Sequence, residues 1–143
     1  MLTRSHRATW FGLIALVGCQ QPPDISGDID TYASLVSDAN SLTCNCPEIL
    51  GYSTISECDD VLGVVGLNER ECISTVLKGH EDAAREYLVC ASAAYQGYVD
   101  CLETNVDCEE SVYNDCAAEH EDAMASCPLL PADTQSAFEA CVD

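Results

Sequence analysis

The stretch CASAAYQGYVDCLETNVDCEESVYNDCAAEHEDAMASC, residues 90–127, decides the fold. Ten residues separate Cys90 from Cys101, and ten separate Cys116 from Cys127. A step of eleven residues along an α-helix ends about 20° from a whole number of turns, so each pair lies on one helix face. Two antiparallel helices would join Cys101 to Cys116 and Cys90 to Cys127, because both pairs are centred on position 108.5. Helix axes about 8–10 Å apart allow the Cα separations of about 4.4–6.8 Å that disulfides need.

The turn between the two helices fixes the register of this pairing. Asp107 with Glu110 is typical of a helix start, and would centre the turn near position 106. Ser111 is the alternative N-cap; it keeps the pairing symmetric and is the start that we favour. The arrangement resembles the helical hairpins of twin CX9C proteins, although ten rather than nine residues intervene. The likeness covers residues 90–127 alone, and we interpret it as convergence because those proteins are mostly mitochondrial.

Hydrophobic spacing predicts helices in the rest of the chain as well. After residue 28, apolar residues recur every three or four positions, and no segment shows the sustained alternation of apolar and polar residues that is typical of a β-strand. The expected fold is therefore all-α: a small disulfide-stapled helical domain, residues 29–143, built around the antiparallel hairpin. The predicted helices span residues 29–42, 56–62, 68–102, 111–126 and 133–142.

Local signals place the ends of these helices. Ser53 or Ser56 is the predicted N-cap of the second helix. Asn68, with Glu71 three positions later, has the spacing of a capping box and predicts the start of the longest helix. Gly79 lies within that helix, where glycine is unfavourable by up to about 1 kcal/mol. A kink or break near Gly79 is the alternative to one continuous helix.

The first eighteen residues differ from the rest of the chain. Arg4 and Arg7 form a short basic start, and residues 8–18 are an apolar stretch. A membrane-spanning helix needs about 17–25 residues, so this stretch is too short for a permanent span. A basic start followed by a short apolar stretch is typical of a signal peptide, here residues 1–18.

The signal-like segment ends in Leu16-Val17-Gly18-Cys19, which resembles the lipobox of bacterial lipoproteins. The resemblance implies cleavage before Cys19, a diacylglyceryl thioether on its sulfur and acylation of the new amino group. Membrane lipid is thus the expected partner of this residue. The resemblance also implies sorting to the outer rather than the inner membrane, because Gln20 stands where an Asp would favour inner-membrane retention. The alternative is an ordinary secreted protein in which Cys19 pairs with another thiol.

Residues 19–28 are expected to form a lipidated tether. The segment contains two prolines, which cannot continue a helix, and few apolar side chains that a core could bury. Its predicted role is to hold the folded domain off the bilayer, on the periplasmic or the surface-exposed side of the envelope.

The composition fits an exported domain. The 143 residues hold 5 basic and 25 acidic side chains, a formal net charge of −20. This balance argues against nucleic-acid binding, because phosphates attract clustered Lys and Arg. Loss of residues 1–18 would remove Arg4 and Arg7 and bring the net charge to −22. Eleven cysteines in so short a chain fit poorly with a reducing cytosol.

The cysteines divide into one acylation site and ten cross-linking candidates. Ten thiols suffice for five disulfides. Beyond the hairpin, we expect Cys141 to continue the ladder of bridges to Cys72. Each native bridge typically contributes about 2–5 kcal/mol, which would offset repulsion among the acidic side chains. The remaining candidates should pin the first two helices to the hairpin loop: Cys44, Cys46, Cys58 and Cys108.

No metal or cofactor is expected from the sequence. Cys44-Asn45-Cys46 with His80 or His120 lacks the second close cysteine pair that zinc sites favour. Each histidine lies near the apolar stripe of its helix and is interpreted as a packed or boundary residue.

The acidic and aromatic side chains are interpreted in the same way. Asp24, Asp28 and Asp30 offer oxygen ligands for Ca²⁺, but no EF-hand loop is present and a solvated acidic surface is the simpler interpretation. The tyrosines of the longest predicted helix follow its helical spacing, which indicates packing rather than sugar binding.

These observations predict a protein without catalytic activity, since no nucleophile with a base or phosphate-binding loop is present in the sequence. The expected function is that of a lipid-anchored cell-envelope protein of structural or protein-interaction type. The alternative is a secreted or surface binding or inhibitory module that acts on a basic protein partner. The sequence does not identify that partner or the oligomeric state.

Overall fold

The computed structural model describes residues 21–142, which form a bundle of α-helices with no β-strand among them. This confirms the all-α prediction. The predicted signal peptide and Cys19 lie outside the described residues. The elements, in chain order, are α1 (Ser26–Cys44), a 3-10 turn (Pro47–Leu50), α2 (Ile55–Leu62), α3 (Leu67–Leu77), α4 (Glu81–Leu102), α5 (Glu110–Ala125) and α6 (Ala132–Val142).

The first helix starts earlier than its hydrophobic pattern predicts. α1 begins at Ser26 instead of Ile29, so the last three residues of the predicted tether belong to this helix. The reason is the carboxylate of Asp24, whose Oδ1 accepts the backbone N–H of Ser26 at 3.0 Å. This hydrogen bond lowers the pKa of Asp24, because it favours the charged form. Ile25 is only 7 % exposed and belongs to the hydrophobic core.

The long helix predicted over residues 68–102 is in fact two helices, with residues 78–80 between them. Gly79 has φ +89°, a left-handed backbone conformation that residues with a β-carbon rarely adopt. The first of the two helices, α3, therefore ends before it. Oε1 of Glu81 accepts the N–H of Gly79 at 2.9 Å and stabilises the turn into α4. The break occurs at the glycine that the sequence marks as the weak point.

The capping box predicted for this region is wrong. α3 begins one residue before Asn68, and its N-cap position is Gly66, which offers no side-chain hydrogen bond. Asn68 and Glu71 therefore lie inside the helix. The first turn is held by Arg70, whose backbone N–H bonds to the carbonyl of Gly66 at 3.2 Å.

The N-cap of α2 is Thr54, and the predicted caps Ser53 and Ser56 are wrong. Oγ1 of Thr54 accepts the N–H of Glu57 at 3.1 Å. Thr54 has the extended backbone (φ −147°, ψ 156°) that N-cap residues adopt, whereas Ser56 already lies inside the helix. Oε2 of Glu57 in turn accepts the N–H of Ser53 at 2.9 Å.

The directions of the helices follow from contacts along α1. Arg85 at the start of α4 lies 3.4 Å from Asp28 at the start of α1, while Leu42 and Leu102 near the two C-termini line a common cleft. α1 and α4 therefore run parallel. The chain from Leu62 into α3 runs antiparallel to α1, as three polar contacts show: Asn40 Nδ2 to the Leu62 carbonyl at 3.0 Å, Val65 N–H to Ser37 Oγ at 3.0 Å, and Arg70 to Asp30 at 2.9 Å.

The core is built from aliphatic side chains and a small aromatic group. Phe138 of α6 is 1 % exposed and packs against Tyr32 of α1 and Tyr87 of α4, with ring centroids 5.5 and 5.3 Å away. Tyr95 meets Tyr32 edge-on at 5.6 Å. Burial raises the pKa of Tyr32, because the phenolate form would lose its solvation. α6 thereby closes the bundle over α1 and α4.

Candidate functional site

Five disulfides cross-link the helices and account for all ten cysteines of the described residues. Their Cα–Cα distances lie between 5.4 and 5.7 Å, within the ordinary range for disulfides. The hairpin prediction corresponds to the bridge between α4 and α5 and to the bridge between α4 and Cys127, which lies just beyond the end of α5. The expected extension of the ladder corresponds to the bridge between α3 and α6. The pairs are Cys44–Cys58, Cys46–Cys108, Cys72–Cys141, Cys90–Cys127 and Cys101–Cys116.

The hairpin turn adopts the symmetric register, but neither predicted cap starts α5. The helix begins at Glu110, and no side chain caps it. The loop is instead held by Asn105, which is 8 % exposed. Its Oδ1 accepts the N–H of Glu109 at 2.8 Å, and its Nδ2 donates to the carbonyl of Glu109 at 3.0 Å. Asp107 and Ser111 are therefore not the N-cap: the N-cap position is Glu109, whose backbone is held by Asn105 from within the turn.

The two remaining bridges join the C-terminus of α1 to its surroundings. Cys44 is bonded to Cys58 of α2, and Cys46 is bonded to Cys108 of the hairpin loop. Since both sulfurs of the Cys44-Asn45-Cys46 segment are in disulfides, they are not thiolate ligands. Within residues 21–142, no three His, Cys, Asp or Glu side chains lie close enough together to hold a metal ion.

The acidic residues near the start of α1 have partners within the protein. Asp24 bonds to the backbone of its own helix, Asp28 pairs with Arg85 at 3.4 Å, and Asp30 pairs with Arg70 at 2.9 Å. The three carboxylates thus point to different groups and do not converge on one position.

His120 is packed between two tyrosine rings of α4. Its ring centroid lies 4.5 Å from that of Tyr95 and 4.8 Å from that of Tyr98, and the latter pair is stacked at 18°. Nδ1 of His120 lies 3.3 Å from the carbonyl oxygen of Ala94. Burial lowers the pKa of His120 by disfavouring the imidazolium form, although Ala94 and Glu121 act in the opposite direction. The packed interpretation of His120 is confirmed.

The corresponding interpretation of His80 is wrong. His80 is exposed at the position just before α4, and its side chain makes no capping bond. The apolar stripe on which the prediction depended does not pass through this residue, because Gly79 ends the helical path one position earlier.

Charge is distributed unequally between the two ends of the bundle. We call residues 21–30 with residues 78–85 the amino-terminal end, and residues 40–50 with residues 100–113 the hairpin end. The described residues contain three Lys and Arg side chains: Arg70, Lys78 and Arg85. Lys78 and Arg85 lie at the amino-terminal end, and Arg70 forms an ion pair with Asp30 of that end. Residues 86–142 contain twelve acidic side chains and no Lys or Arg. The hairpin end therefore has no basic side chain to neutralise its carboxylates.

Comparisons with known proteins give no relatives from which a role could be transferred. No family model, no curated protein and no solved structure matches the chain. None of the described helices is both long enough and apolar enough to span a membrane.

Proposed function

We propose that this protein is a lipid-anchored envelope protein whose acidic helical domain has a structural or protein-interaction role, without chemistry of its own. The observation that carries the proposal is the short distance from the lipobox to the fold. Among the described residues, the first hydrogen bond of the fold involves Asp24, and four residues separate Asp24 from Cys19. Five extended residue steps span at most about 18 Å, so acylated Cys19 would hold the domain close to the bilayer, and the tether would separate the two by less than the predicted segment 19–28 allows.

The cross-linking supports export from the cytosol. Disulfides persist in oxidising compartments, and they are dense in small exported domains that lack a large core. Here five bridges hold a domain whose core contains a single phenylalanine among the described residues. A signal peptide would deliver the chain to such a compartment.

The distribution of charge supports attachment by the amino-terminal end. Lys78 lines the same surface groove as Asp24 and Ile25, directly beside the tether. Anionic headgroups would repel a uniformly acidic domain, and basic side chains near the surface reduce that repulsion. The hairpin end, which has no basic side chain, would then face away from the membrane.

The anchor is tested by the intact mass of the protein extracted from the membranes of a bacterial host that has an outer membrane. We expect a chain that begins at Cys19 and carries the mass of three acyl groups. The matched control, Cys19→Ala, should keep residues 1–18 and lose the added mass. A wild-type chain that is cleaved but unmodified would contradict the proposal.

Outer-membrane sorting is tested separately with Gln20. We expect the wild-type protein in the outer-membrane fraction, and the Gln20→Asp variant in the inner-membrane fraction. If both proteins are found in the inner membrane, the proposed location is wrong while the anchor itself stands.

The second candidate is a secreted binding or inhibitory module that acts on a basic protein. The absence of Lys and Arg from residues 86–142 favours this candidate. It predicts unlipidated protein in the culture medium, and crosslinking there to a partner with a basic surface. Crosslinking from envelope fractions to peptidoglycan alone would favour a structural role instead.

A further inference from the structure

A cleft of about 290 Å³ opens at the hairpin end, between the C-terminus of α1 and the loop from α4 to α5. Its apolar lining comes from three helices, through Leu42, Leu102 and Tyr113, and the exposed carboxylate of Glu103 belongs to the same lining. Sites for small molecules span about 300–1,000 Å³, so this cleft lies at their lower limit. Its size suits one large side chain rather than a whole metabolite.

The cleft is preformed. The buried amide of Asn105 fixes the loop through its two bonds to Glu109, and the Cys46–Cys108 bridge ties the loop to the end of α1. Cys108 has φ +55°, which is uncommon for a residue with a side chain. Its N–H bonds to the carbonyl of Asn105 at 3.3 Å, so bridge and loop together hold this conformation. An occupant would therefore bind without ordering the loop first.

One apolar side chain of the cleft has no cover within the described residues. Val106 is 82 % exposed, whereas Leu102 in the same lining is 7 % exposed. An aliphatic group in the cleft would remove Val106 from water and extend the apolar contact that Leu102 begins.

The charge around the cleft selects the sign of the occupant. Glu103, Asp107 and Glu109 are exposed in the loop that borders it, and no Lys or Arg lines it. α1 and α4 run parallel and both end here, so the partial negative charges of two helix C-termini add to the carboxylates. A cationic segment therefore complements the charge around the cleft. A second copy of this chain, with its net charge of −20, would be repelled by the first.

We infer that the cleft binds a cationic polypeptide segment, which inserts one aliphatic side chain beside Val106 while flanking Lys or Arg residues face the carboxylates of the loop. The inference deepens the proposed function and rests on its protein-interaction part, since it gives the exported domain a class of partner. It requires the folded domain but no lipid on Cys19.

The test uses the full chain with its disulfides formed and two fluorescein-labelled peptides, Lys-Arg-Leu-Arg-Lys and Lys-Arg-Ser-Arg-Lys. Both peptides carry the same charge, so a difference in fluorescence anisotropy titrations reports the aliphatic side chain. We expect the leucine peptide to bind about fivefold more tightly than the serine peptide. Val106→Ser should reduce this preference, because it removes part of the apolar contact while Leu102 remains. The matched control is Leu129→Ser, because Leu129 is also 82 % exposed but lies outside the cleft, and it should leave the preference unchanged.

A second pair of variants tests the carboxylates. Glu103→Gln should weaken binding of the leucine peptide by about threefold, and more than Glu86→Gln, which removes the same charge from an exposed position outside the cleft. Thermal unfolding of each variant confirms that it is folded.

Two kinds of result would overturn the inference. Equal affinity for the two peptides, or equal losses in the cleft and control variants, would show that net charge alone explains binding. A dimer in sedimentation velocity that Val106→Ser abolishes would make a second copy the occupant. A chain that binds the leucine peptide as expected but carries no lipid contradicts the anchor and leaves this inference intact.

Discussion

Removal of the Cys90–Cys127 bridge tests how the hairpin ladder stabilises the domain. The bridge spans a sequence separation of 37. In the chain-entropy model a loop of this length corresponds to about 3.8 kcal/mol of restraint on the unfolded chain. The inner bridge, Cys101–Cys116, already closes a separation of 15 within that loop. The loop left for the outer bridge is then about 23 residues, and its contribution falls to about 3.4 kcal/mol.

The double variant Cys90→Ala with Cys127→Ala should therefore lose about 3–4 kcal/mol in the free energy of unfolding. Unfolding entropies of about 2.1 cal/mol/K per residue convert this loss to a fall of about 13 °C in Tm for a domain of this size. Alanine is chosen because Cys127 is 6 % exposed, and serine would bury a hydroxyl there. The matched control is Cys101→Ala with Cys116→Ala, where the shorter loop predicts a loss of about 3 kcal/mol.

The assay is urea unfolding, followed by circular dichroism, after non-reducing peptide mapping has shown that the other four bridges are intact. If the bridge acts on the unfolded state, its removal exposes more surface on unfolding, and the m-value should rise together with the loss of stability. A loss below about 1 kcal/mol with an unchanged m-value would refute the reasoning, since the bridge would then contribute only a native contact.

Three further predictions concern single residues. Burial holds the pKa of His120 below the ordinary value of about 6.5, so the native state favours the neutral imidazole. The stability that this preference contributes is complete above about pH 6.5 and is lost as the pH falls. The advantage of the wild type over His120→Gln in urea unfolding should thus shrink between pH 7.5 and pH 5.5, and a constant difference would contradict it. Gly79→Ala should destabilise the folded protein by about 1–2 kcal/mol, because φ at this position is +89°. Gly97→Ala should stabilise it by about 0.5–1 kcal/mol, because Gly97 lies inside α4 and no neighbouring atom would meet the added methyl group. Effects of the same sign in calorimetry would refute the different backbone roles of the two glycines. Thr54→Ala should lower the free energy of unfolding by about 1 kcal/mol through loss of the α2 cap, and Ser56→Ala by less than about 0.5 kcal/mol; equal losses would contradict the cap.

Helical periodicity explains which features were predictable from the sequence. Cys101 and Cys116 lie on helix faces whose geometry is fixed by 3.6 residues per turn, so spacing alone predicts that they meet. The same spacing predicts the outer pair, since Cys127 lies only two residues beyond the end of α5. For the four cysteines outside this ladder, the sequence predicts only the part of the fold that they join, not their pairing. Cys46 and Cys108 lie next to a 3-10 turn and in a loop with a left-handed residue, where no repeating geometry relates sequence distance to direction.

The features that the sequence did not predict are those that depend on a single hydrogen bond or on backbone conformation. Thr54 and Ser56 are both suitable caps by residue type, and the extended backbone at Thr54 decides between them. Asp24 likewise starts α1 ahead of its apolar stripe. Asn105 acts through Glu109 from within the turn, at a position that no capping pattern marks. The cleft depends on this loop, so the sequence does not predict it either.

The placement of the bridges relates the ladder to the charge of the domain. The two ion pairs of the described residues, Arg70–Asp30 and Arg85–Asp28, involve the first turns of α1. Three of the five disulfides lie at or near the opposite, hairpin end, where no basic side chain is available to offset the repulsion among carboxylates. Exposed ion pairs contribute about 0–1 kcal/mol each, whereas a bridge contributes about 2–5 kcal/mol and does not weaken with salt. Covalent bonds therefore allow the hairpin end to remain acidic around its cleft. Ion pairs could stabilise this end only by neutralising its carboxylates.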